Sequence, residues 1–133
     1  EDNFKSMNET LDQAIEINAE YTNLYSAMAF PGTRLYDLSI KNNWELPDTW
    51  SGFSQMSYLT KPLPTKFLKS EEVLEFRDNA FSKIYKSDNY KNMIENNFGS
   101  DAKSFVENML KSPVKRKILK PNKRVNTNKP GTT

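Results

Sequence analysis

The chain has 133 residues, 36% of them hydrophobic and 12% aromatic, with 19 basic and 17 acidic residues for a net charge of +2 at pH 7. That is enough apolar material for one modest core. Cysteine and histidine are both absent, which excludes a disulfide framework, a thiolate or imidazole metal site, and a nucleophilic constellation of the Cys–His or Ser–His–Asp kind.

No apolar run approaches the ~20 residues that span a bilayer. The start, Glu1-Asp2-Asn3, lacks the basic-then-apolar layout of a signal peptide, so the expected location is the cytoplasm. The sequence opens without methionine and inside helical patterning, and is expected to be a fragment of a longer protein.

In chain order, Phe4, Met7, Leu11, Ala14 and Ile15 recur at three- and four-residue spacing and predict a helix to about Asn18, with Glu9, Asp12 and Glu16 on its outer side. Tyr21 to Phe30 is a nearly continuous apolar run of strand length, rich in aromatics and stopped by Pro31-Gly32-Thr33. It predicts one buried β-strand; the alternative is the second helix of a hairpin. Thr33 is placed to cap a following helix, whose Leu35, Tyr36, Leu38 and Ile40 are expected to pack back on the strand.

Residues 44–69 then read as an ordered loop. Trp44, Trp50, Phe53, Met56 and Tyr58 require burial, each large ring contributing on the order of 2 kcal/mol. The loop is expected to serve either as a binding loop or as a brace, with Trp50, Phe53 and Met56 packed on Phe76, Phe81 or Tyr85. Ser70 is placed to cap a helix reaching Lys86, with Glu71 and Glu72 complementing its dipole. Two shorter helices follow, one from Ser87-Asp88 to Phe98 and stopped by Gly99, the other from Ser100 to about Leu110 and ended before Pro113. The apolar stripes of these three helices are expected to form a mutual core. Glu71, Glu72 and Glu75 read as a solvated helix face rather than catalytic acids.

Residues 111–133 hold eight basic residues and no acidic one, which leaves the rest of the chain net acidic. Residues 120–133 are expected to form a basic disordered tail. No aromatic residue follows Phe105 to stack on bases, so nucleic acid is not an expected partner.

Pro31-Gly32-Thr33 after an apolar run, the stretch Trp44 to Gln55, Pro62-Leu63-Pro64-Thr65-Lys66, and Val73 to Asp78, in this order, resemble the C-terminal region of radical S-adenosylmethionine enzymes of the cobalamin-binding-domain class. The resemblance implies a mainly α fragment with one buried strand. Residues 1–43 would be the last βα portion of a partial (β/α) barrel, 44–69 the aromatic loop and 70–119 a helical C-terminal extension. It implies a parent enzyme performing radical C–H chemistry such as methyl transfer or oxidative cyclisation, with an iron–sulfur cluster, S-adenosylmethionine and cobalamin as its cofactors. The missing N-terminal part would then be a partner of this chain, and the substrate a small or lipid-like molecule.

The resemblance places Ala27, Met28, Phe30, Pro31, Gly32 and Thr33 against the cofactor, and Gln55, Ser57 and Tyr58 against the substrate. No catalytic residue and no metal ligand is expected in the chain itself. The alternative reading is an independent helical interaction module whose basic tail binds a protein or an anionic partner.

Overall fold

The computed structural model describes residues 2–119. Among them are five α-helices, α1 (Phe4–Ile17), α2 (Arg34–Lys41), α3 (Ser70–Lys86), α4 (Asp88–Phe98) and α5 (Ser100–Leu110), a 3-10 turn at Trp50–Phe53, and no β-strand. The expected basic tail, residues 120–133, lies outside the described residues.

Each helix has a physical start and stop. The Asn3 side chain accepts the Lys5 and Ser6 backbone N–H at 2.9 and 3.1 Å, and Ser6 Oγ accepts the Asn3 N–H in return, so α1 opens on a reciprocal cap. Asn18 ends it at φ 51°, in the left-handed region that asparagine tolerates. Thr33 caps α2 by accepting the Tyr36 N–H. Lys69, not Ser70, is the residue before α3, and its backbone N–H donates to Glu72 at 2.8 Å. Ser87 both follows α3 and caps α4, while Gly99 at φ 89° makes the sharp break into α5.

The core forms where α1 packs on α3, and where α3, α4 and α5 pack on one another. Leu11, Ala80, Ile84, Tyr85, Tyr90, Ile94 and Val106 are its buried members. Tyr85 lies at its centre, edge-on to Tyr90 with ring centroids 4.8 Å apart. Residues expected on one helical stripe therefore do meet, and α3 is the element that the others share.

Two expectations are corrected here. The segment 21–30 is extended, yet it pairs with no strand, so neither a buried β-strand of a sheet nor the βα end of a barrel exists among the described residues. An apolar run of strand length specifies an extended chain, but a strand also needs a neighbour's backbone, and the described chain supplies only Leu63 N–H, to Ala27 O at 3.0 Å. The second correction concerns α2, whose Leu38 and Ile40 are exposed and whose sole buried residue is Ser39, with Oγ turned back to Leu35 O.

What fixes the loop 44–69 against the helices is a charged node. The Arg116 side chain is 1% exposed. Its Nε and Nη2 donate to the two Asp78 carboxylate oxygens at 2.8 and 2.7 Å, and its Nη1 donates to Gln55 O, Ser57 O and Thr60 Oγ1 at 2.9 to 3.0 Å. Asp78 also accepts from Arg77 Nη1 at 3.0 Å. A guanidinium removed from water is tolerated only when its donors are satisfied in this way. The node joins α3, the loop and the chain beyond α5.

Replacing Asp78 with alanine leaves two buried guanidinium groups around a lost carboxylate, and is expected to cost about 3 kcal/mol in urea unfolding; a loss below about 1 kcal/mol, the value of an exposed ion pair, would contradict the role given to the node. Gly52 makes a separate, steric prediction. A Cβ built there would collide with Pro47 Cβ, a ring carbon with no freedom to swing away. Gly52→Ala should therefore destabilise by about 1–3 kcal/mol, read as a lowered melting temperature, and an unchanged melt would show that the loop is not held where described.

Candidate functional site

In an extended chain, the N–H and C=O of residue i point to one edge and those of i+1 to the other. The two edges of 20–26 have different fates. On the even-numbered edge, side chains take the place of a neighbouring strand. Tyr90 OH donates to Glu20 O at 3.0 Å, and Tyr85 OH donates to Thr22 O at 2.8 Å while accepting the Thr22 N–H at 3.1 Å. Arg77 Nε donates to Leu24 O at 2.9 Å. The Gln55 amide donates from Nε2 to Ser26 O at 2.8 Å and accepts the Ser26 N–H on Oε1 at 3.2 Å.

The rungs are supplied by α4, α3 and the loop, which explains why polar tips on large stems occur at these otherwise buried positions. Burial raises the Tyr85 hydroxyl above the ordinary tyrosine range, partly offset by its bond to Thr22. Tyr90 is likewise raised, by burial first and then by Tyr85 and Glu20. Both therefore remain protonated donors throughout the neutral range.

On the odd-numbered edge, the backbone groups of Tyr21, Asn23 and Tyr25 meet no protein partner among the described residues. Their side chains share one face, where Asn23 Nδ2 donates to the Tyr21 and Tyr25 hydroxyls at 3.0 Å each. Tyr21 is 74% exposed and Tyr25 66%. This face borders a hollow of about 350 Å³ whose wall includes Met56, Phe81, Tyr85, Phe105 and Met109. Phe105 and Met56 are also exposed, at 71% and 56%.

The opposite face of the segment carries Leu24 and Ser26 and borders a smaller cavity of about 190 Å³ with Leu11, Leu63, Val73 and Phe76. Ser26 Oγ is buried without a hydrogen-bond partner.

The residues singled out in the sequence lie as follows. Met28 is buried, Ala27 accepts from Leu63, and Phe30 is half-exposed with its ring 6.1 Å from Phe53. Pro31 and Gly32 form the exposed turn and Thr33 caps α2. Gln55 is committed to Ser26, Ser57 supplies a carbonyl to Arg116 and a hydroxyl to the Leu59 N–H, and Tyr58 is exposed while its carbonyl accepts the Lys117 N–H. Of the three large side chains expected to brace the loop, Phe53 is buried, whereas Trp50 and Met56 are exposed. Arg116, counted in the sequence with a basic tail, is the buried centre of the charged node.

Sequence reasoning missed the rungs Tyr85, Tyr90 and Arg77 because their stems satisfy the helical stripe and nothing in the spacing shows where a polar tip is aimed.

Among the described residues no group of three or more His, Cys, Asp or Glu could hold a metal ion. No helix there is long and apolar enough to cross a membrane. The absence among the described residues of such a metal-holding group and of any paired strand overturns the resemblance to radical S-adenosylmethionine enzymes. The iron–sulfur, S-adenosylmethionine and cobalamin cofactors, the (β/α) barrel and the radical enzyme activity drawn from that resemblance fall with it. The chain shows no significant match to a family model, a curated protein or a solved structure.

Proposed function

We propose that the chain is a helical interaction module that docks another polypeptide on the face formed by the 21–25 segment and α5. The observation that carries this reading is the gathering of large, exposed apolar side chains, Tyr21, Tyr25, Met56, Phe105 and Met109, around one hollow. Scattered exposed hydrophobics need no explanation, but a contiguous patch of them marks a surface that is covered in use. Aromatic residues and methionine are also the types enriched at the centres of protein interfaces. Beneath the patch the scaffold is rigid, because the segment is tied to α3 and α4 through Tyr85, Tyr90 and Arg77. A rigid aromatic face loses little conformational entropy on docking.

A photo-reactive benzophenone side chain placed at Phe105 or Tyr25, in the chain expressed in its cells of origin, is expected to capture polypeptide on illumination. The same group at Asp12, exposed on the outer side of α1, is expected to capture none. Equal capture at all three positions, or none at Phe105 and Tyr25, would remove this face as the interaction surface.

A further inference from the structure

We propose that the polypeptide docked on this face inserts an acidic side chain, flanked by apolar residues, into the hollow beside 21–25, where its carboxylate binds the Arg77 guanidinium. The inference rests on the interaction-module reading and adds the chemistry of the partner.

The first support is a charge left uncompensated. The Arg77 and Arg116 side chains are 7% and 1% exposed, and both pair with the same acid, Asp78. Two guanidinium groups around one carboxylate carry a net charge of +1 at low exposure. Among the described residues no other acidic side chain comes within 4.0 Å of either cation, and residues 111–133 contain no acid to supply one. A charge taken out of water is costly until an opposite charge or a full set of acceptors meets it. Both Asp78 oxygens are already bonded to Arg116, so an incoming carboxylate meets a node that is positive overall.

The second support is an under-used donor. Arg77 Nε donates to Leu24 O at 2.9 Å and Nη1 to Asp78 at 3.0 Å, whereas Nη2 meets only Met56 Sδ, at 3.8 Å, among the described residues. A thioether is a weak acceptor. Met56 is also 56% exposed, on a flexible stem that is able to move aside. A carboxylate oxygen arriving at Nη2 exchanges this contact for a charge-assisted hydrogen bond. The guanidinium is fixed for that encounter by its Nε bond and by the Phe81 ring, 5.2 Å away.

The third support is the rest of the hollow. Of the residues around its volume of about 350 Å³, Arg77 alone is charged. Tyr85, Tyr90 and Val106 form its buried wall, and Tyr21, Tyr25 and Phe105 its exposed one. Such a lining favours apolar neighbours on either side of a single acid over a run of acids, whose remaining charges would lose their water against aromatic rings.

Two experiments test the proposal. In the first, Met56→Glu places a carboxylate beside Nη2 on a stem of the same length, from an exposed position, and Met56→Gln is the uncharged control. The acidic variant is expected to melt higher than the glutamine variant. In the second, a peptide blocked at both ends, with one glutamate between leucine and phenylalanine, is titrated into the wild-type chain and followed by NMR. It is expected to bind about tenfold tighter than its glutamine counterpart, the difference one charge-assisted bond makes, and to lose binding to Met56→Glu.

Equal binding of the two peptides, binding of neither, or no gain in melting for Met56→Glu over Met56→Gln overturns the proposal. So does tighter binding of a peptide whose one carboxylate is its free C-terminus. If benzophenone at Phe105 captures a polypeptide whose crosslinked segment contains no acid, carboxylate recognition fails and the interaction-module reading stands. If benzophenone captures nothing there, the module reading fails and the proposal with it.

Discussion

The structure depends on how the main chain of 20–26 is satisfied. A backbone N–H or C=O buried without a partner costs about 1–3 kcal/mol, and an extended segment laid across helices has no neighbouring strand to supply one. Here four side chains do so on one edge, and three of them, Tyr85, Tyr90 and Arg77, also belong to or border the packed core. The tyrosines contribute apolar area through their rings and a hydrogen bond through their tips, so a single residue stabilises the helix packing and the segment together. Losing the rung would therefore be felt in the core as well.

Arg77 links this ladder to the charged node. Through Asp78 it shares a carboxylate with Arg116, which in turn holds the carbonyls of Gln55 and Ser57 and the hydroxyl of Thr60. Gln55 closes the circuit by pairing with Ser26. Segment, loop, α3 and the chain beyond α5 are thus coupled through polar groups at low exposure, where each bond is stronger and each missing partner more costly than in water. Apolar packing alone does not position the loop, since Trp50 and Met56 stay exposed.

The parts legible in the sequence are those written as period and punctuation. The stripes of α1, α3, α4 and α5, the Thr33 cap and the Gly99 break each follow from local spacing and residue type. What was not legible concerns partners. Ten uncharged and largely apolar residues from Tyr21 to Phe30 specify an extended chain, but not whether a strand lies beside it, and the barrel expectation rested on a family resemblance rather than on a second strand in this sequence. Arg116 sits in a run of basic residues, and nothing in that run distinguishes the one guanidinium that turns inward to Asp78. Leu38 and Ile40 have the spacing of a packed face in α2 but no described surface to cover them. On the functional side, the aromatic character of residues 21–25 was visible, whereas its juxtaposition with Phe105 and Met109 depends on the path of α5 and appears only in three dimensions.

The asymmetry of the two edges is most directly tested by residue-resolved amide exchange of the chain. Exchange slows where an N–H is held by the fold and approaches the rate of an unstructured peptide where it is not. The Thr22 and Ser26 amides, held by Tyr85 and Gln55, are expected to exchange slowly, together with the amides of α3. Those of Tyr21, Asn23 and Tyr25 are expected to exchange near the unprotected rate. Uniformly slow or uniformly fast exchange from Tyr21 to Ser26 would contradict a segment held by side chains on one edge and open on the other.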